Sequence, residues 1–546
     1  MNTASTDILY SVTCDQVSQL DHDTSAALAT IREWKNSLAP VNHLPLDILS
    51  LIPTHLVFQE DRFRASFVCR HWRRTFLQRA DLWTELLLSK GEDYTKTILE
   101  RTKGSALIAR AGHAGCRRLS AGTMTLLSSH TQRIRCLSFV HHGWVHIKKF
   151  ADVSGFPLLD SLTIKTLDSD GPRVLGSTRL FSTAVDLKKF RLLSVSPPLN
   201  HFVFPNLVEF HLSVEPWEDL HALRLLDFLE ASPLLQKVRI IVTDISFEGV
   251  PQGRVIVLPN AEHFELSMAD GEPGYRLATH MSCPSARYVL FEHGGNTDEL
   301  MVGLFPPPDL WNAIIHQYAR SPAEEISVEF QPHSTSTCTL TLQSPDASVI
   351  KLRFRFVDGD GEEIRQFPDE VMNCVFVQAT RAVRNHPQLP SVKRLRICYS
   401  TSVLGFHELS CVTDGVVQLL RSMGPLDELT IHNTDLRPYL YPFIDSVRGN
   451  TQAKDLAIFP PIKQLTISHP GYQSAVECTT AIAGLAGSQF ASGIPFERVV
   501  VRGKVEPTGM EEMIRPWVGS VEYCYEEPCD TEDESDEESE DSESDE

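Results

Sequence analysis

Apolar residues recur along this chain in one arrangement. Counted from a zero position, they fall at +2, +5 and +7, as at Leu159, Leu162 and Ile164 after Pro157. Twelve copies can be traced, with zero positions Gln132, Pro157, Val185, Pro205, Pro233, Pro259, Pro284, Ser321, Pro390, Gly424, Pro460 and Ile494. Positions +5 and +7 are two residues apart, so they lie on one face of a β-strand, and +2 packs inward from the turn before it. Proline stands at the zero position or the next in ten copies, where a strand entry needs no ladder donor. Only alanine fills +2 in three copies (Ala261, Ala286, Ala323), which makes these the weakest.

Several gaps between copies carry a helical stripe: Leu220, Leu223, Leu226 and Leu229 with Phe228; Leu310, Ile314 and Tyr318; and Val416, Leu419, Leu420 and Met423. One long gap reads differently. Leu340 and Leu342, then Ile350, Leu352, Phe354 and Phe356, alternate as an embedded hairpin would, broken by Ser-Pro-Asp-Ala-Ser. Zero positions from Gln132 to Pro284 are 25, 28, 20, 28, 26 and 25 residues apart, and later intervals run 37, 69, 34, 36 and 34. One strand plus one helix or turn fits the early spacing, and +2/+5/+7 is the LxxLxL core of leucine-rich repeats. The expected fold is α/β, an irregular leucine-rich-repeat-like solenoid over 91–520; the competing reading is a conventional globular domain. If +5 and +7 face the core, +4 and +6 face out. Those positions supply a candidate surface for an unknown protein substrate: Lys189, Arg191, Glu209, His211, Lys237, Arg239, His263, Glu265, Arg394 and Arg396.

The segment 41–90 follows another pattern. Leu44-Pro45 opens a helix with Ile48, Leu49 and Ile52 on one face, and Leu56 follows after Pro53, where the helix is expected to stop early. A second helix from about Asp61 would set Phe63, Phe67, Val68 and Trp72 against Arg62, Arg64, Arg70, Arg73 and Arg74, and Leu82-Trp83 closes the unit. So much apolar surface on short helices needs a docked partner or the neighbouring domain.

Leu44-Pro45, Asp47, Ile48-Leu49, Ile52, Leu56, Val68-Cys69-Arg70, Trp72 and Leu82-Trp83, in this order and spacing, resemble an F-box. The resemblance implies docking of a Skp-family adaptor and a cullin through Leu44, Pro45, Ile48, Leu49, Ile52, Leu56, Val68, Cys69 and Trp72. It also implies that the rest of the chain is a substrate receptor, commonly of leucine-rich repeats. The layout is similar to the large F-box families of mushroom-forming fungi. A helical cap on the repeat array is the structural alternative for this segment. Residues 1–40 form a separate N-terminal segment, with a short amphipathic helix from Ser25 through Leu28, Ile31, Trp34 and Leu38. That helix is expected to pack on the F-box or the repeats, with coiled-coil pairing as the alternative.

Composition narrows the function classes. Of 546 residues 42% are hydrophobic and 22% charged, a globular balance. The net charge of −21 is uneven: fourteen acids and no Lys or Arg lie between Glu526 and Glu546, leaving −7 on the rest. A body that grips nucleic acid through a general positive field is excluded, and 521–546 is expected to be a disordered acidic tail. Thr531, Ser535 and Ser542 there each have an acid three residues on, a weak phosphorylation pattern. No apolar run reaches the ~18 residues of a membrane span. Neither a secretory leader nor an Asn-x-Ser/Thr acceptor stands out, and the twelve cysteines form no CxxC pair. These features suggest a reduced intracellular protein, cytoplasmic or nuclear.

Catalytic chemistry is poorly represented. His141, His142 and His146 lack nearby Cys or acid pairs. Asp358, Asp360 and Glu362 start like a calcium loop, but Glu363 stands where the turn needs glycine. The Gly-Gly after His293 has no nucleophile elbow to serve, and no phosphate-binding glycine loop occurs. No catalytic residue, metal or cofactor is expected. The first reading is therefore a non-catalytic substrate receptor of a cullin-RING ubiquitin ligase; the second is a scaffold acting outside any ligase.

Overall fold

The computed structural model describes residues 3–56, 59–110, 120–141, 150–151, 155–166, 181–193, 199–214, 220–268, 271–296, 317–318, 323–331, 336–357, 376–377, 380, 392–399, 416, 418–433, 460–468, 475–491, 493–503 and 509–525. Two compact units divide the chain, Met1–Leu207 and Val208–Glu546. The first begins helical and turns into sheet, and the second is a large mixed sheet with helices between strands.

In the first unit, α1 (Thr3–Ser37), α2 (Leu46–His55), α3 (Gln59–Ser66) and α4 (Arg70–Gln78) precede β1 (Glu85–Leu87). Next come α5 (Glu92–Arg101), β2 (Leu107–Arg110), α6 (Ala121–Ser128), β3 (Ile134–His141), β4 (Ser161–Thr166) and β5 (Lys189–Leu193). The five strands pair in parallel, each with the next. The ladder thus starts two strands before the first copy of the repeat. Leu86, Leu107 and Ala109 are buried in β1 and β2, but these strands are too short, and too poor in turn proline, to match the template.

The second unit contains β6 (Glu209–Ser213), β7 (Leu220–His221), β8 (Lys237–Val242), β9 (Ile245–Ser246), β10 (Ile256–Val257), β11 (His263–Met268), β12 (Met281–Ser282) and β13 (Tyr288–Asn296). There follow β14 (Glu325–Gln331), β15 (Ser336–Gln343), β16 (Val349–Val357), β17 (Arg394–Tyr399), β18 (Leu426–Asn433), β19 (Ile462–Ser468), β20 (Phe496–Gly503) and β21 (Val518–Tyr525). β6, β8, β11 and β13 pair in parallel, and so do β14, β17, β18, β19, β20 and β21. The hairpin is real, but it folds backward. β15 and β16 are antiparallel, and β16 pairs with β13, so both are inserted between β13 and β14. The last strand carries ordered chain to Tyr525, past the expected boundary at 520, and the acidic tail from Glu526 lies outside the described residues. So do Leu310 and Ile314 of one helical stripe, His142 and His146, the acidic loop at 358–362, and Thr531, Ser535 and Ser542.

Side-chain burial follows the template closely. Apart from Phe139, whose side chain is not described, every +2, +5 and +7 residue is buried, none more than 5% exposed. Stacked strands hold these positions in register: Leu162 opposite Phe190, Phe210 opposite Val238 and Val238 opposite Phe264, then Leu395, Leu429, Leu465 and Val499 in one row. Hairpin residues continue the rows, with Ile350 opposite Val289 and Leu342 opposite Ile326.

The turn before the earlier strands explains their proline at the zero position. In the copies from Pro157 to Pro284 the +2 N–H donates to the carbonyl just before the zero position, as in Leu159 to Phe156 at 3.2 Å, Leu207 to Phe204 at 3.2 Å and Leu235 to Ser232 at 3.3 Å. The zero residue is thus the second residue of a β-turn, the position for which proline's fixed φ is suited. One carbonyl at +3 then accepts two N–H groups from the next copy. Gln236 and Lys237 donate to Val208 O, Glu262 and His263 to Gln236 O, and Asp427 and Glu428 to Lys393 O.

Two expectations need correction. The leucine stripe at three-residue steps drifts off a 3.6-residue helix, so the helix Ala222–Glu230 buries Ala222, Leu225, Leu226, Phe228 and Leu229, and leaves Leu223 half-exposed. The N-terminal helix is much longer than the segment from Ser25, and the expected apolar stripe is not buried on the body: Leu28, Ile31, Trp34 and Leu38 are all more than half exposed. No described helix is long and apolar enough to cross a membrane.

The register can be tested within β5. Phe190→Ala should destabilise the protein by about 3–5 kcal/mol through the cavity it leaves, whereas Arg191→Ala next to it should change stability by less than about 0.5 kcal/mol. Urea unfolding followed by circular dichroism measures both.

Candidate functional site

The helical cluster at 41–89 is organised by a small buried core. Leu49, Pro53, Phe76, Leu82 and Trp83 are inside, and the Trp83 indole N–H donates to Phe76 O at 2.9 Å. Phe63 lies edge-on to Trp83, with ring centroids 5.0 Å apart, and also meets Tyr94 of α5. The Arg101 guanidinium covers the Trp83 ring at 4.9 Å, a cation–π contact that seals this core from the α5 side. At the other end Arg79 ties α4 to α2, donating to Ser50 Oγ at 3.0 Å and to Ser50 O at 3.3 Å. Arg79 also donates to Asp81, and this hydrogen bond holds the Asp81 carboxyl below its usual range although burial opposes it.

These contacts sort the nine residues that the F-box resemblance assigns to docking. Leu44, Pro45, Ile48 and Val68 are exposed, and Ile52, Leu56 and Cys69 are half-buried. Leu49 is fully buried, so it is a core residue and not a docking anchor. The cause is helical geometry: Leu49 and Pro53, four residues apart, share the inner face of α2, while Ile48 and Leu51 fall on the outer one. Trp72 has a structural tie as well, since its indole N–H donates to Asn42 Oδ1 at 2.7 Å and its ring packs 5.4 Å from Phe76.

Two further expectations fail here. Pro53 does not stop α2, which runs on to His55, because proline so near the helix end costs only one hydrogen bond. The single helix expected from Asp61 is two, α3 and α4, broken at Phe67–Cys69, where Cys69 takes an extended backbone. The break leaves Phe67 and Val68 projecting, 66% and 58% exposed, with Arg73 stacked over the Phe67 ring at 4.8 Å. Leu46 and Leu51 are exposed too, at positions that the F-box pattern does not include.

None of the ten outward +4 and +6 residues is buried. In the first unit Lys189 and Arg191 are exposed on β5. In the second, Glu209, Lys237 and His263 form one row and His211, Arg239 and Glu265 the next. Ion pairs link neighbouring strands: Lys237 to Glu209 at 3.8 Å and Arg239 to Glu265 at 3.0 Å. The His263 ring stacks on Tyr288 at 4.5 Å, and partial burial lowers its pKa, with Glu265 acting in the opposite sense.

Arg394 and Arg396 stand apart, on β17, five strands beyond β11, roughly 24 Å at the usual strand spacing. They line a polar cavity of about 350 Å³ together with Glu325, Glu428, Thr430, His432 and Arg502. Arg394 pairs with Glu325 at 3.1 Å, and the Glu428 carboxylate accepts from Thr466 at 2.8 Å and Thr430 at 3.1 Å. Glu428, Thr430, His432 and Arg502 are +4, +6 and +8 positions of later copies, so extending the same count would have found them. No group of acids, histidines and cysteines among the described residues could hold a metal ion, and Cys69, Cys136, Cys283, Cys338, Cys398 and Cys524 are free thiols.

The two sides of α2 give a direct test of this sorting. Leu49→Ala should destabilise the protein by about 2–5 kcal/mol, and Ile48→Ala by less than about 1 kcal/mol, in thermal or urea unfolding.

No curated protein matches the chain. A family model described as F-box-like matches residues 41–89. The segment that builds the α2–α4 cluster, with Leu49, Phe76 and Trp83 at its centre, is thus an F-box-like domain.

Proposed function

We propose that this chain is the non-catalytic substrate receptor of a cullin-RING ubiquitin ligase. Its F-box-like domain docks a Skp-family adaptor, and its irregular leucine-rich-repeat-like solenoid holds a protein substrate. One observation carries the reading: within a segment that matches the F-box-like family, Leu44, Ile48, Leu51, Phe67 and Val68 remain uncovered around a well-filled core. Exposed apolar side chains grouped in a small folded domain are a common mark of a protein–protein interface. The adaptor brings the cullin, and the receptor then contributes proximity between substrate and the ubiquitin-loaded enzyme, not bond chemistry. The outward rows from Glu209 to Glu265 and the cavity at Arg394 and Arg396 mix both charges, which suits a protein partner better than a nucleic acid or a membrane. Such a ligase would work in the cytoplasm or nucleus.

Copurification with the adaptor and cullin tests the first half. Ile48→Asp with Val68→Asp should abolish capture of both, each lost anchor costing about 2 kcal/mol or more, and should leave the unfolding midpoint within a few degrees of wild type. Wild-type protein that never captures the adaptor would favour a scaffold acting outside a ligase.

The second half is tested by charge reversal on the outward rows. Lys237→Glu with Arg239→Glu should lower recovery of substrates that accumulate when the proteasome is inhibited, with adaptor capture unchanged. Equal recovery of all substrates would remove these rows from the proposed binding face.

A further inference from the structure

Helix α1 runs 35 residues and is tied to the body near its C-terminal end, where Arg70 pairs with Glu33 at 2.7 Å and Asn42 donates to Asn36 O at 2.6 Å. Apolar residues in its described part are nevertheless exposed, Val17, Leu20, Leu28, Ile31 and Trp34, and so is Leu38 just past its end, all between 51% and 69%. A helix of this length draws most of its stability from covering such a stripe. The stripe has coiled-coil spacing. Val17, Leu20, Thr24, Ala27, Ile31, Trp34 and Leu38 alternate by three and four residues without a break, the 3.5-residue period that keeps one seam toward a partner helix.

We infer that α1 pairs with α1 of a second copy of this chain as an antiparallel coiled coil. The choice of partner and direction follows from complementarity along the helix. When Leu20 is set opposite Leu38 of the other copy, Thr24 falls opposite Trp34 and Ala27 opposite Ile31. The two inner layers then set a large side chain against a small one, Trp34 on Thr24 and Ile31 on Ala27, the outer layer sets leucine on leucine, and the symmetric half repeats the match. The flanking positions agree: Asp21 comes beside Lys35 of the other copy, twice in the dimer, and the two Leu28 residues meet at the centre. A parallel pair would stack Trp34 on Trp34 and would leave Asp21 and Lys35 about 21 Å apart along the helices. The pairing does not depend on the ligase reading, since it uses no residue of the F-box-like domain.

Light scattering after size exclusion of the full chain at micromolar concentration is the test. The expected mass is about twice the 61.2 kDa of one chain, and Ile31→Glu with Trp34→Glu should give the monomer with an unchanged unfolding midpoint. Asp21→Lys alone should weaken the dimer about ten-fold, through two like-charge contacts, and adding Lys35→Asp should restore it. A monomeric wild type, or a dimer that survives Ile31→Glu with Trp34→Glu, overturns the proposal. A charge exchange that does not restore the dimer overturns the antiparallel pairing.

Discussion

The +2/+5/+7 rows are what the rest of the chain depends on. A parallel strand buried on one face by its neighbours' side chains cannot slip by one residue, because a slip would turn every inward residue outward. Several copies, those at Pro157, Pro205, Pro233 and Pro259 among them, fix that register twice. The turn closed by the +2 N–H sets where a strand begins, and the shared +3 carbonyl ties that start to the strand before. Asparagine at +1 adds a third tie in two copies, where Asn206 donates to Val185 O and Asn260 to Pro233 O, both at 3.0 Å. Insertions are tolerated because they enter between strands or as further strands. The β15–β16 hairpin extends the apolar rows without shifting them.

The F-box-like domain uses a different economy. Its helices are too short to bury much, so a few aromatic residues fill the centre: Phe63, Phe76 and Trp83, with Trp72 at the edge. Those contacts decide which apolar residues are left over. Ile48 and Leu49 are adjacent and chemically alike, yet one is half exposed and the other fully buried. Because Phe63 and Trp83 also contact Tyr94 and Arg101, the domain's core merges with the start of the strand ladder, and substitutions there would disturb both.

The two kinds of surface differ in how they can bind. The outward rows are charged and laterally paired, so a partner must replace ion pairs such as Arg239–Glu265 with contacts at least as good. That favours selectivity over raw affinity. The stripe on α1 and the projecting Phe67 and Val68 are apolar and uncovered, so covering them releases hydration free energy at about 25 cal/mol per Å².

The sequence by itself determined the repeat register, the outward direction of Lys189 through Arg396, the hairpin at 336–357 and the order of F-box elements. Each is a local property: strand alternation, a turn-forming proline, or a run of motif residues whose spacing is read without knowing the neighbours. Only the tertiary structure decided the rest. It placed the hairpin beside β13, since strand order depends on which edge is free and not on chain order. It moved Leu49 from the docking surface to the core, because two residues 100° apart around a helix can be assigned to opposite faces only once the helices beside it are in place. It carried α2 through Pro53 and broke the next helix at Phe67–Cys69, where packing outweighs propensity. And it left the α1 stripe bare, which no hydrophobic pattern can foretell, because the pattern shows that a face wants cover but not what supplies it.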